Sequence, residues 1–85
     1  MKDIKPIVKL LTDITEDRTV PRNIRASAEE AKKELTEKTE NSWDIRLSSA
    51  ISVLDEIIND PNMPMYTRTQ IWNVVSMLEA VKREL

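Results

Sequence analysis

Leu11-Thr12-Asp13-Ile14-Thr15-Glu16-Asp17-Arg18-Thr19-Val20-Pro21-Arg22-Asn23-Ile24-Arg25 decides the fold, because residues 54–68 nearly restate it 43 positions later. Leu11, Ile14, Asp17, Pro21 and Arg25 return as Leu54, Ile57, Asp60, Pro64 and Arg68, and beyond this stretch Leu35 returns as Leu78. The pairs Val8 and Ile51, Leu10 and Val53, Asp13 and Glu56, Val20 and Met63, and Ala31 and Val74 are conservative matches in the same frame. Each copy reads as a helix, a short Asp-x-x-x-Pro turn and a second helix. Paired-helix units of this length are the size of HEAT and armadillo repeats.

Working outward, the spacing predicts four helices. Ile4, Ile7, Val8, Leu11 and Ile14 recur every three or four residues, the signature of one buried helical face, and predict a helix from Ile4 to Glu16. Asp3 is its expected N-cap, and Pro6 falls in the first turn, where a missing N–H is tolerated. Proline disfavours helical geometry in the residue before it, so a second helix is expected to begin near Pro21 and run to Lys38, with Ile24, Ala28, Ala31 and Leu35 inward. Its other face alternates Glu29, Glu30 and Glu34 with Lys32, Lys33 and Lys38, as solvated helices do.

The polar stretch Thr39-Glu40-Asn41-Ser42 suits a linker between the copies. A third helix is expected over 43–59, with Leu47, Ala50, Ile51, Leu54, Ile57 and Ile58 as its stripe. Asn59-Asp60-Pro61-Asn62-Met63-Pro64 is rich in turn formers. A fourth helix is expected from Pro64 to Arg83, burying Ile71, Val74, Val75, Leu78 and Val81. Four amphipathic helices with short connections close most readily into an up-and-down bundle. The expected fold is therefore all-α: one domain over residues 1–85, a four-helix bundle of two helical hairpins at about 4–38 and 43–83. HEAT-like stacking is the second choice, since two repeats alone leave both ends of a solenoid uncapped.

Composition narrows the chemistry. The 85 residues contain no glycine, cysteine, histidine or phenylalanine. Gly-rich phosphate loops are excluded, and so are thiolate nucleophiles, imidazole bases and cysteine or histidine metal sites. Di-iron bundles need Glu-x-x-His on two helices, and carboxylate neighbours such as Glu29/Glu30 and Asp55/Glu56 point in different directions on a helix. No catalytic residue, metal ligand or cofactor is expected, and the chain is read as not an enzyme. Net charge is −2 and spread evenly, with nine basic and nine acidic residues in 1–41, and four and six in 42–85. The first residues lack the apolar core of a signal peptide and no apolar run is long enough to span a bilayer, so a cytoplasmic protein with no membrane partner is expected.

Three groups stand out as candidate sites. Asp17 with Arg25, and Asp60 with Arg68, is the sharpest repeated pair. It reads as structural, each Asp capping its turn and each arginine tying the hairpin, although two related arginines could also hold an anion. Arg18, Arg22 and Arg25 form a short basic ridge, the candidate anion or nucleic-acid contact, but Asp17, Glu29 and Glu30 interrupt it. Met63, Met65, Tyr66 and Trp72 form a candidate interface, because methionine is adaptable and aromatic residues are enriched where proteins meet. Trp72, just off the helix-4 stripe, is expected at the margin of the core. The leading expectation is a protein-interaction or structural module that binds an unidentified partner or a second copy of itself. The alternative is a nucleic-acid or ribonucleoprotein accessory acting through helix 2.

Asp60-Pro61-Asn62-Met63-Pro64 followed by Arg68-Thr69-Gln70-Ile71-Trp72, with Thr19-Val20-Pro21-Arg22-Asn23-Ile24-Arg25 and Ala28-Glu29-Glu30-Ala31, resembles a small archaeal group, uncharacterised protein family 0147. The resemblance covers nearly the whole chain. It implies a four-helix all-α fold and an archaeal cytoplasmic origin, and it brings no activity, ligand or functional residue.

Overall fold

Pro21 and Pro64 each stand immediately before a helix in the computed structural model, which describes residues 3–85. The four helices are α1 (Lys5–Glu16), α2 (Arg22–Thr36), α3 (Trp43–Ile57) and α4 (Met65–Arg83), and the described residues contain no strand. Both prolines are N-caps with extended backbone and no side-chain cap bond. A proline there leaves no N–H to satisfy.

The observed ends fall inside the expected ones. α1 starts at Lys5 because Ile4 is its N-cap; the Asp3 carboxylate still satisfies a first-turn donor, accepting from the Lys5 N–H at 2.9 Å. α2 stops at Thr36 and not Lys38, because Glu37 turns to extended backbone. α3 stops at Ile57, and Asn59 lies in the turn. Ser42 caps α3, its hydroxyl accepting from the Ile45 N–H.

A glycine-free chain must turn without positive φ, and no described residue has one. The two hairpin turns solve this with the same bonds. The Asp17 N–H donates to Ile14 O and the Val20 N–H to Asp17 O; the Asp60 N–H donates to Ile57 O and the Met63 N–H to Asp60 O. Asp17 Oδ1 accepts from the Thr19 N–H, and Asp60 Oδ1 from the Asn62 N–H. Every one of these bonds recurs at an offset of 43. The two carboxylate bonds are Asx-type closures, in which a carboxylate imitates a backbone carbonyl.

Each helix packs on its neighbour in sequence, and α4 closes the ring on α1; the diagonal pairs α1–α3 and α2–α4 do not approach. This is the neighbour order of an up-and-down bundle. HEAT-like stacking would place α1 on α3 and α2 on α4, and neither contact forms.

One core runs through all four helices. Ile7, Leu11 and Ile14 meet Ile24, Ala28, Ala31 and Leu35, and these meet Leu47, Ala50 and Leu54 and then Ile71, Val74, Leu78 and Val81. Ile51, Ile57, Ile58 and Val75, expected inward, are only half-buried and pack against the edge of this cluster. α2 brings Ala28 and Ala31 where α4 brings Ile71 and Val74 in the 43-residue frame. The small residues let the backbone of α2 approach its neighbours, and the branched ones hold α4 further out.

Candidate interaction face and the ends of the bundle

Both aspartates close their turns, and of the two arginines expected to tie the hairpins Arg68 bonds its turn directly. Arg68 Nη2 donates to the backbone carbonyl of Asp60 at 2.8 Å, so the arginine holds the turn through the main chain and not through the carboxylate. The carboxylates have other donors. Asp17 Oδ1 accepts from both the hydroxyl and the N–H of Thr19, at 2.6 and 2.9 Å. These bonds, the hydroxyl foremost, hold its carboxyl below the usual 3.8, with a smaller contribution from the Arg25 charge. Asp60 is lowered by the Asn62 N–H first, then by the Asn23 side-chain amide, which donates to its Oδ2 at 2.9 Å. That last bond joins the start of α2 to the α3–α4 turn, so both hairpin turns lie at one end of the bundle.

The basic ridge is partial. Arg18 and Arg22 are exposed, but Arg25 is half-buried with its Nε wholly enclosed, and its charge acts on the Asp17 carboxylate.

Of the candidate interface residues, Met63 belongs to the core. It is 6 % exposed, next to 1 % for its counterpart Val20, because each precedes the proline that starts a helix and is carried inward by the same turn. Met65, Tyr66 and Trp72 are on the outside, at 70, 72 and 55 % exposure. Trp72 is therefore further out than the core margin expected of it. At 100° per residue, Met65, Thr69, Trp72, Ser76 and Arg83 fall on one stripe of α4, and all five are exposed.

Arg46 is the residue that the sequence reading missed. It is buried, its guanidinium 3.9 Å from the centroid of the Trp43 ring. Its Nε donates to Glu34 O at 2.8 Å and its Nη2 to Glu37 O at 2.9 Å. A fixed cation thus closes the C-terminus of α2, where free carbonyls and the helix dipole favour positive charge. The available signal was the Trp43-x-x-Arg46 spacing, which places the two on one face beside Leu47 and Ala50. At the same end of the bundle, Lys82 of α4 lies 4.0 Å from Asp44 of α3, a loose exposed pair.

Among the described residues no group of three or more acidic side chains could hold a metal ion. An open groove between α2 and α3 is lined by the carboxylates Glu30, Glu34 and Asp44, by Ser48, Ser49 and Ser52, and by Ile45 and Val53. Among the described residues no helix is long and apolar enough to cross a membrane.

These features define a small all-α protein of four helices. The chain belongs to the uncharacterised protein family UPF0147, which it matches over residues 1–81. It is 53 % identical over 79 residues to UPF0147 protein MJ1419 of Methanocaldococcus jannaschii, covering 93 % of this chain and 84 % of that one. A UPF0147 protein of Archaeoglobus fulgidus is 46 % identical over 98 % of this chain and 93 % of its own. Two crystal structures share the fold. The unknown function protein MMP1188 has a TM-score of 0.84 at 53 % identity, covering 89 % of this chain and 85 % of that one. A UPF0147 protein from Thermoplasma acidophilum has a TM-score of 0.86 at 37 % identity, over 92 and 91 % of the two chains.

Proposed function

We propose that this chain is a non-enzymatic interaction module that docks another protein chain on the outer face of α4. The observation that carries the reading is a comparison inside the molecule. On α2 the outward positions are Arg22, Asn23, Ala26, Glu29, Glu30 and Lys33, four of the six charged. On α4 the same positions are Met65, Tyr66, Thr69, Trp72, Asn73 and Ser76, none charged and all exposed. The one charged residue between Met65 and Leu78 is Arg68, half-buried and bonded to Asp60 O. One frame therefore shows both what a solvated face looks like here and a face that departs from it. Loss of charge with gain of methionine, tyrosine and tryptophan is the compositional mark of a protein interface.

The test is a pull-down from native cell extract, half of it nuclease-treated, with the wild-type chain and a Met65→Lys/Trp72→Lys variant. The reading expects a stoichiometric protein, a different chain or an untagged copy of this one, retained after nuclease and lost with the variant. Retention by the variant would contradict it. Capture that vanishes with nuclease would favour the exposed arginines Arg18, in the first turn, and Arg22, at the start of α2, and a nucleic-acid role.

A further inference from the structure

We infer that the occupant of the α4 face is a second copy of this chain, packed antiparallel, α4 against α4. This rests on the docking-face reading and adds the partner to it. Charge decides the partner and the direction together. A two-fold dimer places the same patch on both sides, so any charge in the patch can meet itself. The stripe Met65, Thr69, Trp72 and Ser76 carries none, and only at its far end do Glu79 and Arg83 appear.

Run antiparallel about the midpoint of α4, the stripe is self-complementary. Trp72 lies over the partner's Ser76, a large side chain against a small one, and Met65 reaches the stem of the partner's Arg83. The two Glu79 side chains then lie about 15 Å apart along the axis and the two Arg83 about 27 Å, at 1.5 Å per residue. Both spacings exceed the screening length of about 8 Å at physiological salt. A parallel pair would instead set Glu79 on Glu79 and Arg83 on Arg83.

Area sets the strength. Taking roughly 150–250 Å² for a whole aromatic side chain, Tyr66 and Trp72 leave on the order of 250 Å² outside at their 72 and 55 % exposure. With Met65 and the small polar residues the face offers roughly 500–600 Å² per copy, at the low end for a specific interface. The dimer is accordingly weak and reversible.

The test is sedimentation equilibrium of the full chain from micromolar to millimolar concentration, with helicity checked by circular dichroism. Wild type is expected to pass from monomer to dimer, and Trp72→Lys and Ser76→Lys each to weaken the dimer at least tenfold with unchanged helicity. The chain has no cysteine, so single cysteines report the direction. With a short thiol cross-linker, Ser76→Cys should link two chains and Arg83→Cys should not; linkage of both would overturn the antiparallel order. A monomer at every concentration would overturn the second-copy assignment, leaving the docking face to stand or fall by the pull-down. A dimer indifferent to both lysine variants would overturn the assignment and the face together.

Discussion

Asn23 donates its side-chain amide to Asp60 Oδ2 across 2.9 Å, joining the first residues of α2 to the turn that starts α4. It is a bond between the hairpins where most of the turn bonds are within them. Asp60 therefore closes its own turn and ties down the other hairpin, whereas Asp17 closes only its own. Asp60→Ala is expected to lower Tm more than Asp17→Ala does. Asn23→Ala should account for the difference, by about 2–4 °C, the scale of a fraction of a kcal/mol in a domain this size. Thermal melts of the three variants decide it.

Arg46 is the most vulnerable charged residue. Its two bonds to the end of α2 run from a charged donor to backbone carbonyls, and their loss leaves both acceptors unsatisfied. Arg46→Ala should lose about 2–3 kcal/mol in urea unfolding, the range for hydrogen bonds to charged groups. Arg46→Lys should recover only part, since an ammonium cannot reproduce the planar fork or the stack on Trp43.

Acid should loosen the turns. The carboxyls of Asp17 and Asp60 are held below 3.8 in the folded chain. A depressed carboxyl adds stability above its unfolded pKa and loses it as pH falls through the folded value, so this contribution fades below about pH 4. The double variant Asp17→Asn/Asp60→Asn keeps an acceptor at each turn but cannot titrate. Its Tm should fall less than that of wild type between pH 4 and pH 2, and parallel curves would refute the assignment.

The asymmetry between α2 and α4 is a packing claim with its own test. Ala28 and Ala31 are both wholly buried. Installing the side chains of the matching α4 positions, Ala28→Ile or Ala31→Val, overfills the contact and should cost about 1–3 kcal/mol each. The reverse change, Ile71→Ala, opens a cavity and should cost about 2–5 kcal/mol. If both α2 variants are neutral, the close approach is wrong.

The sequence carried the architecture because the fold depends on local period and on a repeated frame. Leu11 and Leu54, or Leu35 and Leu78, are buried as their spacing implies. The frame also held an unused warning: Met63 matches Val20, and a residue matched to a core valine belongs in the core. Arg46 and the Asn23–Asp60 bond were harder to read. Each joins residues distant in sequence, and no helical period marks which polar side chain will meet another element. The outer face of α4 was legible only in part, since Met65, Tyr66 and Trp72 stood out by type while the missing charge shows only against α2.

The central claim is that the uncharged face of α4 is where this chain is contacted by its own copy. A dilution series of amide and indole chemical shifts on isotope-labelled protein tests it residue by residue. The account predicts concentration-dependent shifts at Met65, Thr69, Trp72 and Ser76, with Arg22, Ala26, Glu29 and Lys33 on α2 unmoved. Shifts on the α2 face, or none anywhere up to millimolar concentration, would contradict it.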